Sequence, residues 1–252
     1  MGASPTKVRS LRAVWRLLAV AGHLVRGLLT VFWVFPKLTE PARQRRVQQW
    51  SHQMLGKIAI DLRVTGAASI EGPALLVANH ISWLDITALH AARYCRFVSK
   101  GDVRHWPLVG ALASGIGTLF IERESRRDAM RVVHHMAQSL KNGDVLGIFP
   151  EGTTSNGTGL LPFHANLFQS AIVANAPVQP MAVQYIDTRT KQRSLAPSYV
   201  DDDTLMGSLW RTLTADPITV VIVFGEPQFF AGRDRRTWAK DVQAEVERLR
   251  LP

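Results

Sequence analysis

Short apolar runs alternate with longer stretches of helical period along most of this 252-residue chain. Apolar runs of four to eight residues, bounded by turn residues, read as buried strands. They fall at 62–65, 74–78, 95–98, 117–121, 145–149, 178–185 and 218–224. Windows with apolar residues three and four apart lie between or after them and read as helices, at 83–93, 124–141, 165–175, 204–214 and 234–250. This alternation predicts an α/β fold with a mostly parallel central sheet flanked by helices. Sites in such sheets lie beyond the carboxyl ends of the strands.

The N-terminal pattern is different. Residues 8–35 are apolar but broken by Arg9, Arg12, Arg16, His23 and Arg26. At about 100° per residue, Arg9, Arg12, Arg16 and His23 share one helical face, and Trp15, Leu18, Val25 and Leu29 lie away from it. The charge-free runs 17–25 and 27–36 are each shorter than the roughly 20 apolar residues of a membrane span. The pattern predicts a basic amphipathic helix, or helix pair, ending near Pro36. It would lie at a membrane as an interfacial or re-entrant anchor, with arginines among the head groups. The alternative is a single span in which Arg26 snorkels. A cleaved signal peptide fits less well, because Arg26 interrupts the apolar region and Pro36-Lys37 offers no small-residue cleavage site. Pro41 to about Ile60 reads as a further helix.

Charge sharpens this division. The formal net charge is +10, and residues 1–50 hold nine Lys/Arg against one acid, Glu40. The body is therefore close to neutral. A nucleic-acid-binding domain would carry its basic patch on the folded face, whereas a basic N-terminus suits an anionic membrane surface. The single cysteine, Cys95, excludes an intramolecular disulfide and points to a reducing compartment.

Four strand ends carry candidate chemistry. Ala74–Ala78 runs into Asn79-His80-Ile81-Ser82-Trp83-Leu84-Asp85. A histidine with a carboxylate five residues on can be a general base and its orienting partner. Gly117–Ile121 runs into Glu122-Arg123, and Val145–Phe149 runs into Pro150-Glu151-Gly152-Thr153-Thr154-Ser155. The fourth is the proline-bracketed strand 178–183.

These blocks, in this order and spacing, resemble the glycerolipid acyltransferase family, which includes the 1-acylglycerol-3-phosphate (lysophosphatidate) O-acyltransferases. Asn79, His80 and Asp85 match its Asn-His-x4-Asp motif. Gly117, Phe120, Glu122 and Arg123 match its second motif, in which Asp often stands where Glu122 does. Phe149, Pro150, Glu151, Gly152, Thr153 and Ser155 match Phe-Pro-Glu-Gly-Thr-Arg-Ser, with Thr154 in place of Arg. The fourth motif matches loosely at 178–183. The resemblance covers about residues 62–225.

The resemblance implies acyl transfer from a thioester, acyl-CoA or acyl-carrier protein, to a lipid hydroxyl, with no resident cofactor or metal. It implies that His80 takes the hydroxyl proton and Asp85 holds His80. It places Arg123 on the acceptor's phosphate, with Lys100 as a second phosphate contact. Glu151 and Gly152 would hold the acceptor's glycerol end, with Asn79, Thr153 and Thr154 also around the substrate. Backbone N–H groups around 79–82, or at Gly152, would stabilise the oxyanion. The expected division is membrane-associating helices over 1–60 and an acyltransferase domain over 61–252, at the cytoplasmic face of the membrane. Lysophosphatidate, giving phosphatidic acid, is the expected acceptor. Thr154 opens an alternative, because a hydroxyl brings no charge: a zwitterionic lysophospholipid or a lyso-aminolipid such as lyso-ornithine lipid.

Other readings stand beside this one. Ser82 caps the helix that follows, or it is the nucleophile of a Ser/His/Asp lipid hydrolase, although no Gly-x-Ser-x-Gly elbow is present. A non-catalytic lipid-binding scaffold would not need His80 at all. His80, Asp85 and His90 lack a third strong ligand at helical spacing for a metal. The polar stretch 153–162 reads as a flexible loop or a mobile lid.

Overall fold

The computed structural model describes residues 5–68, 71–121, 126–200 and 202–250. Seven strands form one sheet in the order β1-β7-β6-β2-β5-β3-β4. They are β1 (Ile60–Thr65), β2 (Ala74–Ala78), β3 (Arg96–Lys100), β4 (Leu119–Ile121), β5 (Val145–Ile148), β6 (Val178–Asp187) and β7 (Ile218–Phe224). All neighbours run parallel except β6 and β7. Every predicted strand is present, and the mostly parallel sheet holds with one reversed joint.

β2 lies at the centre, and all five of its residues are buried. A strand covered on both faces reads as an unbroken apolar run, as Ala74–Ala78 does. Alternate residues serve opposite layers. Leu75 and Val77 pack with Met136 and Leu140 of α5 (Arg126–Lys141), Phe168 of α6 (Phe168–Ala174) and Trp238 of α8 (Arg235–Arg250). Ala74, Leu76 and Ala78 pack with Met54 and Leu55 of α2 (Glu40–Lys57), Leu84 and Leu89 of α3 (Leu84–Ala92) and Leu213 of α7 (Leu205–Thr214). Each large apolar side chain buried in these layers contributes about 1.5–3 kcal/mol.

The N-terminus forms α1 (Pro5–Leu29), a π-helical segment Thr30–Val34 and a 3-10 turn Phe35–Lys37. Its expected orientation needs correction. Arg9 pairs with Asp216 at 2.9 Å, and Arg16 donates to the carbonyl of Leu213 at 2.7 Å. His23 is 3% exposed and stacks on Trp50 of α2. Arg16 and His23 thus turn inward to carbonyls of α7 and α2, while Arg9, still exposed, reaches a carboxylate just past the end of α7. The opposite face, with Leu11, Trp15, Leu18, Val25 and Leu29, is exposed. Arg9–Lys37 is long and apolar enough to cross a membrane by length and composition.

One further helix, α4 (Val109–Gly115), lies between β3 and β4, where no helix is predicted. Its short Gly- and Ser-containing sequence gives no clear period.

Candidate active site

The parallel strands β2, β5, β3 and β4 end on one edge of the sheet, and the turn after β2 is fixed by side chains. Asn79 extends the sheet beyond the last residue of β2. Its Nδ2 donates to the Val183 carbonyl (3.0 Å), and its Oδ1 accepts from the Val183 N–H (2.8 Å). Its amide replaces the next peptide of the β2–β6 ladder, after the Ala78–Met181 pair. Asn79 is therefore a buried support and does not line the cleft, contrary to its expected substrate contact.

His80 follows at the open end. Its Nδ1 lies 2.8 Å from Asp85 Oδ2, and its ring stacks on Phe149 with centroids 4.0 Å apart. Asp85 is fully buried in the first turn of α3. Its Oδ2 also accepts the N–H groups of Ile81 (2.7 Å) and Ser82 (2.9 Å), and its Oδ1 accepts the Tyr185 hydroxyl (2.7 Å). All four bonds use this carboxylate as an acceptor, and the N-terminal end of α3 favours a negative charge there. Since Asp85 accepts from Nδ1, the proton sits on Nδ1 and Nε2 presents a lone pair. Nε2 has no partner among the described residues, and such an imidazole can accept a proton.

Tyr185, on β6, went unnoticed in the sequence. The available signal is a phenol near the end of a strand whose neighbours Met181–Val183 are apolar, because a buried hydroxyl needs a partner. Burial, with the Asp85 charge beside it, holds its pKa well above the ordinary value.

Glu151 is also a support. Its Oε1 accepts the His80 N–H (2.7 Å), and its Oε2 accepts the Leu161 N–H (2.9 Å). It is 4% exposed, and burial pushes its carboxyl pKa up despite these bonds. Its expected contact with the acceptor gives way to a brace between His80 and the loop 153–162. That loop is pinned rather than free. The Ser155 N–H donates to the His80 carbonyl (2.9 Å), and buried Arg250 donates to that of Gly157 (2.6 Å). Thr154 Oγ1 donates to the Tyr199 carbonyl, so its hydroxyl is committed to the segment before α7.

Ser82 is fully buried, accepts the Leu84 N–H and donates to the Pro197 carbonyl at 2.5 Å. It starts α3 and holds a neighbouring segment, which leaves it ill placed as a nucleophile. His90 is buried and bonded through Nε2 to the Cys95 carbonyl, and burial lowers its pKa to about 4. Lys100 is exposed at the end of β3, beside Ile121 of β4. Glu122 and Arg123 lie outside the described residues.

A cavity of about 610 Å³ opens at His80, within the ~300–1,000 Å³ range of ligand sites. Lys100, Phe149, Gly152, Thr153 and Thr154 line its polar end. Its far wall is largely apolar and comes from α1, the π-helical segment, α2 and α4 through Leu24, Val31, Trp50, Met54 and Leu112, with Arg26 and Arg46 also on it. The helices of residues 1–60 therefore help build the site itself.

A histidine held by a buried carboxylate at a strand end, opening on a largely apolar cavity, is an arrangement that could serve an enzyme of lipid-like substrates. Residues 61–184 match the family described as Acyltransferase. The lyso-ornithine lipid O-acyltransferase of Pseudomonas aeruginosa is 38% identical over 244 residues, covering 94% of this chain and 92% of that protein. A 1-acyl-sn-glycerol-3-phosphate acyltransferase of Neisseria meningitidis is 40% identical over 185 residues, covering 73% and 71%. The crystal structure of PlsC, the 1-acyl-sn-glycerophosphate (LPA) acyltransferase of Thermotoga maritima, shares the fold, with a TM-score of 0.70 at 18% identity over 99% of both chains. The chain belongs to the acyltransferase family and is an O-acyltransferase of the lysophosphatidate acyltransferase type.

Proposed function

We propose that this chain transfers the acyl group of a thioester, of coenzyme A or acyl-carrier protein, to the free hydroxyl of a lysolipid. The observation that carries this reading is the unpartnered Nε2 of His80 at the polar end of an apolar cavity. His80 Nε2 takes the acceptor's hydroxyl proton as that oxygen bonds to the thioester carbonyl carbon. The tetrahedral intermediate collapses with loss of the C–S bond, and the imidazolium returns the proton to the thiolate. The products are an ester and a free thiol. Asp85 holds the ring and stabilises the imidazolium. The oxyanion donors on this reading are the N–H groups of Thr153 and Thr154, which have no partner among the described residues. Those of His80, Ile81, Ser82 and Gly152 are already bonded.

The acceptor we favour is a lyso-ornithine lipid. Thr154 brings no guanidinium to the acceptor pocket, and its hydroxyl already has a partner. That suits a zwitterionic head better than a phosphate monoester. The relative matched over 94% of this chain carries that activity in its name. Lysophosphatidate is the second reading, favoured by Lys100, which lines the cavity and has no partner among the described residues. We place α1 on the membrane surface rather than across it. Its inner face is bonded to the domain at Arg9, Arg16 and His23, and a spanning helix would pull those contacts into lipid.

The test uses purified full-length protein, a labelled acyl thioester, and both lysolipids side by side. Faster transfer to lyso-ornithine lipid is expected, with a loss of about 10²–10⁴-fold in His80→Ala and a shift toward lysophosphatidate in Thr154→Arg. Transfer to no lysolipid at all would overturn the activity. Full activity of His80→Ala would overturn the role of His80, and faster turnover of lysophosphatidate would select the second reading.

A further inference from the structure

Between β3 and β4 the chain makes an excursion through a 3-10 turn, Gly101–His105, and then Trp106-Pro107-Leu108 into α4. After exposed Asp102, two exposed basic residues, Arg104 and His105, precede three large apolar ones that are partly exposed, Trp106 and Val109 at the rim of the cavity. Trp106 is 42% exposed, Leu108 49% and Val109 38%. Leu108 has φ +62 and ψ −50, outside the usual regions for a residue with a Cβ. The turn is nevertheless tightly built. The Gly110 N–H donates to the Trp106 carbonyl at 2.9 Å, and a Cβ at Gly110 would lie 2.1 Å from the Arg104 carbonyl oxygen. A strained backbone thus holds an apolar side chain away from the domain, and packing within the domain does not account for it.

The neighbours of this turn account for it. α4 packs closely on the end of α1. A Cβ at Gly115 would lie 2.2 Å from Val31 Cγ1, and one at Gly27 would lie 3.2 Å from Leu112. α4 therefore links the turn at its start to the π-helical segment at its end, and Phe32 and Trp33 of that segment are 61% and 68% exposed and continue the outer apolar face of α1. Trp106 and Val109 also line the cavity that ends at His80, as do Thr30 and Val31 of the π-helical segment.

We propose that the Trp106–Val109 turn is a second membrane-inserting element. With Thr30–Val34 it forms the two lips through which an apolar chain passes sideways from the bilayer into the cavity. The occupant of this surface is an anionic lipid bilayer. The order of the turn, basic then aromatic then aliphatic, matches the head-group, interfacial and acyl layers met with depth. The surface continues the outer face of α1, within an N-terminal region of nine basic residues and one acid. Insertion stands independently of the acyl-transfer reading, while the entry role rests on it.

The experiment places an environment-sensitive dye on Leu108→Cys in the full-length chain. The native Cys95 is buried and does not compete for the label. On addition of phosphatidylethanolamine–phosphatidylglycerol vesicles, the dye at 108 should shift to the blue and be quenched by a lipid-borne quencher. The same dye on exposed Thr190→Cys should do neither. Emission at 108 that stays water-like overturns insertion, whatever the catalytic outcome, because the label reports on a protein with no activity as well. For entry, Leu108→Gly relieves the positive φ and should keep or raise thermal stability. It should also lower, by roughly tenfold, the ratio of turnover on vesicle-embedded long-chain acceptor to turnover on dispersed short-chain acceptor, the scale of withdrawing one leucine from an apolar phase. An unchanged ratio overturns the entry role.

Discussion

The turn that carries His80 and the wall of α1, α2 and α4 bound the same cavity, but they are held by different forces. In the turn, the N–H groups of His80, Ile81 and Ser82 all meet carboxylate oxygens, and Asp85 alone gathers four donors. In the wall, contact comes from apolar side chains and from close approach at Gly27 and Gly115. Between α1 and α2 the polar tie is a reciprocal pair in which Trp50 Nε1 donates to the His23 carbonyl and His23 bonds the Trp50 carbonyl, and bonds from Arg16 and Gln48 hold these helices to the domain. Directional bonds fix one atom in space, which proton transfer requires. Non-directional packing encloses a volume, which is what an acyl chain requires. Substitutions in the turn should therefore act on rate, and those in the wall on which chains are accepted.

Asp85→Ala should have the largest effect, since it strands buried donors as well as the histidine. A loss on the order of 3–5 kcal/mol is expected in denaturant unfolding, with at least a 10³-fold drop in turnover. A stable Asp85→Ala protein would break the contrast between the regions. Tyr185→Phe removes only one of the four donors. Turnover should fall about tenfold with acceptor KM little changed, and stability by about 1 kcal/mol. A rise in KM alone would instead make Tyr185 a binding residue.

His90 lines the cavity between the two regions, and it gives a pH test. Its folded pKa, about 4, lies below the ordinary 6.5. Its neutral form therefore supports the fold fully above pH 6.5, and that support is lost as pH falls toward 4, at up to about 1.4 kcal/mol per pH unit. Thermal unfolding of His90→Gln should show a flatter acid limb than wild type. The smallest effect is expected at Gly27→Ala. The added Cβ would meet Trp50 Nε1 at 2.8 Å, so this ring, which lines the cavity, must move and reshape the wall. Preference among acyl thioesters should move to shorter chains at nearly unchanged turnover on the best one. A loss of turnover on all chains would show that the wall also positions His80.

The strands were legible because each is an apolar run ended by turn residues, and the His80–Asp85 pair because both lie on one local turn. Helix α4 was not, since its few residues carry no period. The inward face of α1 was misread for a related reason. Periodicity tells which residues share a face, but not whether water, lipid or an unmet carbonyl such as that of Leu213 lies opposite. The roles of Asn79, Glu151 and Thr154 were hidden because their partners, Val183, Leu161 and Tyr199, lie 104, 10 and 45 residues away.

By itself the sequence determined the α/β class, the mostly parallel sheet, the pairing of His80 with Asp85, and the apolar outer face of the first helix. These follow from local period and short spacing, which need no knowledge of distant partners. Only the tertiary structure decided which polar residues line the cavity and which hold the scaffold. It brought Tyr185 to Asp85 and made the N-terminal helices a wall of the cavity. A hydrogen bond across the fold depends on where two remote backbones meet, and the pattern along one segment does not contain that information.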